Sequence, residues 1–244
     1  MSGHSHAKTI KHQKDLADKK RGAAFSKMIR VITVAVKEGG SNPETNNKLR
    51  MAIDLARTVN MPKDNIERAI SRASGADGSE AFVEFLFEAY GPGNVAVLIS
   101  GITENRNRAL AEIKTILNQN GGKMVGEGAI QWMFERKGIV DVDLNNQTPE
   151  LKNKDNLEMA AIEVGASDVH WYENILEVYT EPEKPEAVKK GLEEKGVKVE
   201  SFSIGWIPKE ELETDEKVRA QCEKLFDLLD DNDAVQDVYS NLKD

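Results

Sequence analysis

The chain has 244 residues, of which 39% are hydrophobic and 31% charged, a composition typical of a folded protein rather than a disordered one. No run of 18 apolar residues occurs, and the N-terminus leads directly into charged sequence, so neither a transmembrane helix nor a signal peptide is predicted. The single cysteine, Cys222, excludes an internal disulfide, and a cytoplasmic protein is therefore expected.

The charge is distributed unevenly along the chain. Residues 1–72 contain 15 Lys and Arg against 7 Asp and Glu, a net charge of +8, whereas the remainder contains 18 against 35, a net charge of −17. A basic end on an acidic body is typical of a protein with a nucleic-acid-binding arm. The alternatives are a chance fluctuation in composition or a basic face that packs against the acidic body of the same chain.

The first predicted element is a polar helix over residues 8–21, ended by Gly22. It has little apolar surface and should be marginal alone, so a partner is expected to order it. Repulsion among its positive charges is unfavourable unless an anion lies nearby. The run is therefore expected to contact phosphate groups. The residues expected to make this contact are Lys8, Lys11, His12, Lys14, Lys19, Lys20 and Arg21.

Three further helices are predicted, over residues 23–37, over residues 46–60 and from Pro62 to a linker at residues 74–79. Lys27 and Arg30 lie on the polar side of the first of these helices and are also assigned to nucleic-acid binding. This third of the chain has one aromatic residue, Phe25, so phosphate contacts are favoured over base stacking.

After residue 80 the hydrophobic period changes from helical to strand-like. The first series of elements is predicted at residues 82–90, 95–102 and 129–134 for strands and 105–120 for a helix. The second series has the order β-α-β-β-α-β of a ferredoxin-like unit. Its elements are predicted at residues 138–142, 153–164, 168–172, 175–179, 185–195 and 197–202.

The C-terminal part supplies a strand near residues 203–207, a helix over 215–229 and a strand over 235–239, which could complete the first sheet. The predicted fold class is therefore α+β with three domains: a basic helical domain and two ferredoxin-like domains, the second inserted in the first. The predicted boundaries are residues 1–80 for the helical domain, 81–135 with 204–244 for the second, and 136–203 for the inserted domain.

Catalytic and cofactor motifs are not found. Gly122-Lys123 lacks the flanking residues of a phosphate-binding loop, and residues 126–131 lack the last glycine of a dinucleotide fingerprint. Three histidines lie near the N-terminus without a cysteine or carboxylate at ligand spacing. The sequence therefore predicts no enzyme, no cofactor and no metal site.

Arg106 and Arg108 stand at the start of a predicted helix, where the helix dipole disfavours cations. An anion bound at this end would explain both residues, and they are assigned to nucleic-acid binding for that reason. The alternative is an ordinary helix N-cap with two solvated arginines.

With these residues laid out, the sequence resembles the YebC/PmpR family over nearly its whole length. The motifs that carry the resemblance are Gly3-His4-Ser5, Ile10-Lys11-His12, Lys20-Arg21-Gly22, Phe25-Ser26-Lys27, Asn60-Met61-Pro62, Tyr90-Gly91-Pro92-Gly93, Asn105-Arg106-Asn107-Arg108 and Val235-Gln236-Asp237-Val238-Tyr239. The resemblance implies three domains around a cleft. It also implies a probable DNA-binding transcriptional regulator, although mitochondrial members activate translation and some bacterial members look like ribosome-associated factors.

One departure lies at the N-terminal tip, where the family usually has Lys-Trp and this chain has His6-Ala7. A cation and a stacking aromatic are lost, which predicts weaker or more pH-dependent binding if this tip contacts nucleic acid.

The favoured function is a non-enzymatic nucleic-acid-binding regulator of gene expression. Its expected partner is DNA or ribosomal RNA, with a modest preference for RNA because the body is acidic. No membrane partner is predicted, and a monomer is the expected state. The alternative function is a regulatory protein that senses a small ligand in the cleft between the α+β domains, near residues 90–94 and Arg106.

Overall fold

The computed structural model describes residues 18–75 and 82–243, which form three helices followed by two antiparallel sheets with four further helices. The helices are α1 (Asp18–Gly39), α2 (Asn47–Thr58), α3 (Lys63–Ser74), α4 (Arg106–Gln119), α5 (Lys154–Glu163), α6 (Pro185–Glu194) and α7 (Glu216–Asp230). The strands are β1 (Val83–Tyr90), β2 (Ala96–Thr103), β3 (Lys123–Met124), β4 (Phe134–Asp143), β5 (Asp168–Tyr172), β6 (Ile175–Thr180), β7 (Ser201–Pro208) and β8 (Val235–Ser240).

The helical part has its own core, built from one stripe of each helix. Ile32 on α1, Leu49 and Ala56 on α2, and Ile66 on α3 are buried in it. Asn46 caps α2, because its side-chain oxygen accepts a hydrogen bond from the Leu49 amide at 3.0 Å. No helix among the described residues is long and apolar enough to cross a membrane.

Helix α1 runs without interruption through Gly22, so the prediction that a helix ends at this glycine was wrong. The backbone of Gly22 does not adopt the left-handed conformation that makes glycine a helix terminator. The Gly22 carbonyl instead accepts a hydrogen bond from the Ser26 hydroxyl at 3.1 Å, one turn further along the helix. The true end of α1 is marked by Gly40, whose φ is +84°.

The first sheet has the strand order β3-β1-β2-β8. Strand β8 pairs antiparallel with β2, so the C-terminal part of the chain completes this sheet. Helices α4 and α7 cover one face, where Ile113, Leu117 and Phe226 are fully buried among the apolar side chains of the strands.

The second sheet has the order β5-β6-β4-β7 and follows the predicted β-α-β-β-α-β sequence. Helices α5 and α6 pack on one face around Val140, Leu157, Val178 and Leu192. The chain therefore forms two separate antiparallel sheets, as an α+β fold class requires.

Strands β4 and β7 each cross the predicted boundary between the second and third domains. Residues 129–134 and 138–142 were predicted as separate strands, but the structure has one strand, β4, that begins at Phe134. Residues 197–202 and 203–207 likewise contribute to a single strand, β7. The β4–β7 ladder runs from Phe134 opposite Pro208 to Asp141 opposite Ser201. The predicted boundaries at 135/136 and 203/204 remain predictions, and they fall within this ladder.

Residues 129–133 are not a strand because a side chain takes their amides. The buried carboxylate of Glu88 accepts hydrogen bonds from the amides of Gly128, Ile130 and Gln131, at 2.5, 2.7 and 3.0 Å. This arrangement holds the segment as a loop and one turn of 3-10 helix ahead of β4.

Candidate nucleic-acid interface

The predicted basic run lies at and before the start of α1. Lys8, Lys11, His12 and Lys14 lie outside the described residues. The backbone of Lys19, Lys20 and Arg21 forms the first turn of α1.

Lys27 and Arg30 face the acidic end of α7 instead of open solvent. The Lys27 ammonium donates a hydrogen bond to the main-chain oxygen of Asp230 at 2.6 Å, and the Arg30 guanidinium donates one to the main-chain oxygen of Asp233. Burial lowers the pKa of Lys27, although the surrounding carboxylates, Asp230 first, act in the opposite direction. Burial also raises the pKa of Asp230, to about 7.

Helix α2 makes corresponding contacts with the second sheet. Arg50 pairs with Glu186 of α6 at 2.9 Å, and Lys189 of α6 pairs with Asp54 at 2.9 Å. The Lys189 ammonium also lies 4.6 Å from the centre of the Phe202 ring. The helical part is therefore joined by charged contacts to α7 on one side and to α6 on the other.

Two other cations of α2 have partners within the helical part. Lys48 pairs with Glu38 at 2.5 Å, and Arg57 pairs with Asp54 at 3.0 Å. Much of the positive charge on the described helices is thus paired with groups of the same chain. This favours the alternative in which the basic face packs against the acidic body.

Arg106 and Arg108 lie together at the start of α4, and both are exposed. The side chain of Asn105 caps this helix by accepting a hydrogen bond from the Arg108 amide at 3.0 Å. The Arg106 guanidinium lies 5.6 Å from the centre of the Phe87 ring, and Arg108 lies 3.7 Å from Glu112. The geometry fits the N-cap alternative, and an anion-binding role for these arginines remains a prediction.

Glu88, which was not among the residues predicted to be functional, organises the loop before β4. Glu88 is 3% exposed, and its loop leads to Trp132, which is 67% exposed. The available signal was a second carboxylate in β1, set in its most apolar stretch after Phe85, Leu86 and Phe87, because a buried carboxylate needs hydrogen-bond donors around it.

Comparison with known proteins identifies the family. A family model described as the TACO1/YebC N-terminal domain matches residues 5–76, and one described as the TACO1/YebC second and third domain matches residues 82–242. The chain belongs to the TACO1/YebC family. The resemblance inferred from the sequence motifs is thereby confirmed.

Similar members of the TACO1/YebC family come from several bacteria. A protein of Halothermothrix orenii is 46% identical over 99% of this chain and 94% of its own length, and one of Dehalococcoides mccartyi is 44% identical over 99% and 94%. Both are named as probable transcriptional regulatory proteins. The crystal structure of the conserved hypothetical protein Aq1575 of Aquifex aeolicus is 41% identical, covers 98% of this chain and 97% of its own, and superimposes with a TM-score of 0.88.

Proposed function

We propose that the protein is a non-enzymatic regulator of gene expression that binds nucleic acid chiefly through residues 8–21. Its relatives are named as probable transcriptional regulatory proteins, which supports a regulatory role. The observation that carries the proposal is the density of cations in this run, which has six Lys and Arg against two Asp.

The contacts of the described helices support this location. Lys27 and Arg30 have partners at and just after the end of α7, and Arg50 has one on α6, so they serve to hold the helical part against the acidic body. The run at residues 8–21 is then the part of the basic third best suited to a phosphate backbone. Lys19, Lys20 and Arg21 would extend α1 toward that backbone.

The acidic body favours RNA on a ribosome over DNA as the partner. A net charge of −17 after residue 72 repels a long duplex, whereas a basic arm can reach RNA on a ribosome while the body stays away from it. A ribosome-associated role in translation is therefore the preferred form of the proposal, and transcriptional regulation through DNA is the competing outcome.

The test is co-sedimentation with ribosomes across a salt series, with binding to a generic DNA duplex measured in parallel. For the variant Lys20→Ala/Arg21→Ala we expect ribosome affinity to fall about tenfold or more, and the salt slope to decrease by about 2, because two phosphate contacts are removed.

The matched control is Lys190→Ala/Lys195→Ala, which removes the same charge from exposed positions on and after α6. Its ribosome affinity should stay close to that of the unmodified protein. Equal affinity of both variants would contradict the role of residues 8–21. Tight DNA binding without ribosome association would show a transcriptional regulator instead.

A further inference from the structure

A cavity of about 440 Å³ lies where the helical part meets both sheets. Its walls are mostly apolar and come from all three parts of the molecule. Met28 and Leu55 line it from α1 and α2, Leu86 from the first sheet, and Ile204 and Trp206 from β7. This location differs from the site near residues 90–94 and Arg106 that the sequence suggested for a small ligand.

Charged contacts hold the helical part on either side of this cavity. Lys27 ties α1 to the end of α7, and Arg50 ties α2 to α6, so the helical part spans the space between the two sheets. An apolar cavity of this size forfeits the dispersion contacts that close packing would give. Its volume falls in the range of small-molecule sites, which are typically 300–1,000 Å³.

Two hydrogen-bond donors in the lining have no acceptor among the described residues. The Gln236 amide nitrogen is buried and makes no hydrogen bond there. Arg136 lies on β4, opposite β7, and is exposed. Its guanidinium has no carboxylate of residues 18–75 or 82–243 at ion-pair distance. A buried donor without an acceptor costs stability, and it therefore favours a ligand that supplies one.

The other charged groups of the lining are occupied or open to solvent. The Asp237 carboxylate accepts a hydrogen bond from the Ser100 hydroxyl at 3.2 Å, and Lys48 pairs with Glu38. Glu84 is exposed to solvent. Arg136 is consequently the cation of this lining that is available to an anionic group.

From this geometry we infer that the cavity is a binding site for a small anionic amphiphile. Its carboxylate, sulfonate or similar head lies at Arg136, an acceptor atom meets the Gln236 amide, and its apolar or aromatic body fills the space beneath α1 and α2. This site is independent of the basic run at residues 8–21, and its test uses no nucleic acid.

The probe is 8-anilinonaphthalene-1-sulfonate, an aromatic body with an anionic head, titrated by fluorescence into the full chain. We expect saturable binding of one dye per chain. The variant Arg136→Gln should weaken it about tenfold, because a charge-assisted hydrogen bond is lost. The neutral dye N-phenyl-1-naphthylamine should bind the unmodified protein and Arg136→Gln equally. A matched control, Arg108→Gln, removes an exposed guanidinium outside the lining and should change neither dye.

Two further substitutions locate the dye. Val34 is buried and lines the cavity, so Val34→Phe should fill part of it and abolish saturable binding while the circular dichroism spectrum is retained. Energy transfer to the bound dye should fall with Trp206→Phe, which lies in the lining, and persist with Trp132→Phe, which does not.

Several results would overturn the site. These are the absence of saturable binding, equal loss of both dyes on Arg136→Gln, or energy transfer that depends on Trp132 and not on Trp206. If Val34→Phe does not fold, the comparison of the two dyes on Arg136→Gln and the two tryptophan variants still decides the question.

Discussion

Glu88 is the residue on which the loop before β4 depends. Glu88 is only 3% exposed, and its carboxylate accepts hydrogen bonds from the backbone N–H groups of Gly128, Ile130 and Gln131. Hydrogen bonds to an ionised acceptor are stronger than neutral ones, and each buried amide left without an acceptor costs free energy. One side chain thus fixes a segment that would otherwise have to find three other acceptors.

We predict that Glu88→Ala lowers the free energy of unfolding by about 2–3 kcal/mol, because one buried and two partly buried amides lose their acceptor at once. Urea unfolding followed by circular dichroism measures the loss. Amide hydrogen exchange at Gly128, Ile130 and Gln131 should also accelerate. The control is Glu84→Ala on the same strand, whose exposed side chain should change stability by less than about 0.5 kcal/mol. Equal stability of both variants would show that the loop does not rely on Glu88.

At the scale of elements, α1 shows that a glycine does not by itself end a helix. Gly22 has ordinary helical surroundings, and a Cβ atom there would meet no heavy atom within 4 Å. Gly40 also has open space around it, but its φ of +84° is a conformation that other residues adopt at a cost. The two glycines therefore differ in backbone conformation and not in crowding.

We expect Gly22→Ala to raise the free energy of unfolding by about 0.5–1 kcal/mol, because alanine loses less conformational entropy in a helix. The matched change, Gly40→Ala, should lower it by about 1 kcal/mol, because alanine is strained in the left-handed region. Thermal and urea unfolding of the two variants side by side measure the difference. A loss of stability in Gly22→Ala would argue against a continuous α1.

Charged side chains hold the helical part to the rest of the molecule. Lys27 and Asp230 are both partly buried where they meet, and this burial lowers the pKa of Lys27 and raises that of Asp230. A carboxyl with a pKa of about 7 in the folded chain and 3.8 as its ordinary value binds a proton more readily when folded. Between these two values the folded state is therefore favoured as the pH falls.

The Asp230 contribution to stability should accordingly grow as the pH decreases from about 7 to about 4, and it should be absent above pH 7. Asp230→Asn is expected to remove this contribution and flatten the pH dependence of the free energy of unfolding across that window. Urea unfolding at several pH values compares the variant with the unmodified protein and with Asp227→Asn, an exposed position on the same helix. Identical pH profiles for Asp230→Asn and the unmodified protein would refute the assignment.

The secondary-structure elements could be predicted from the sequence because their signals are local. Hydrophobic period, turn residues and caps act over a few neighbouring residues, and they were sufficient for the α+β class, for the β-α-β-β-α-β unit and for the family. These local signals were insufficient where a side chain distant in sequence binds the backbone. The predicted strand at residues 129–134 was wrong because Glu88, about 40 positions away, takes its amides.

Which cations are paired with partners on other elements, and where the cavity lies, depends on how the elements pack together. Lys27 meets Asp230 across 203 positions, and Arg50 meets Glu186 across 136. No local pattern encodes such a pair, because its distance depends on how separate layers pack. The same packing places Arg136 and Gln236 beside the apolar cavity between the helical part and the two sheets. These two residues are 100 positions apart, so no local pattern could have paired them.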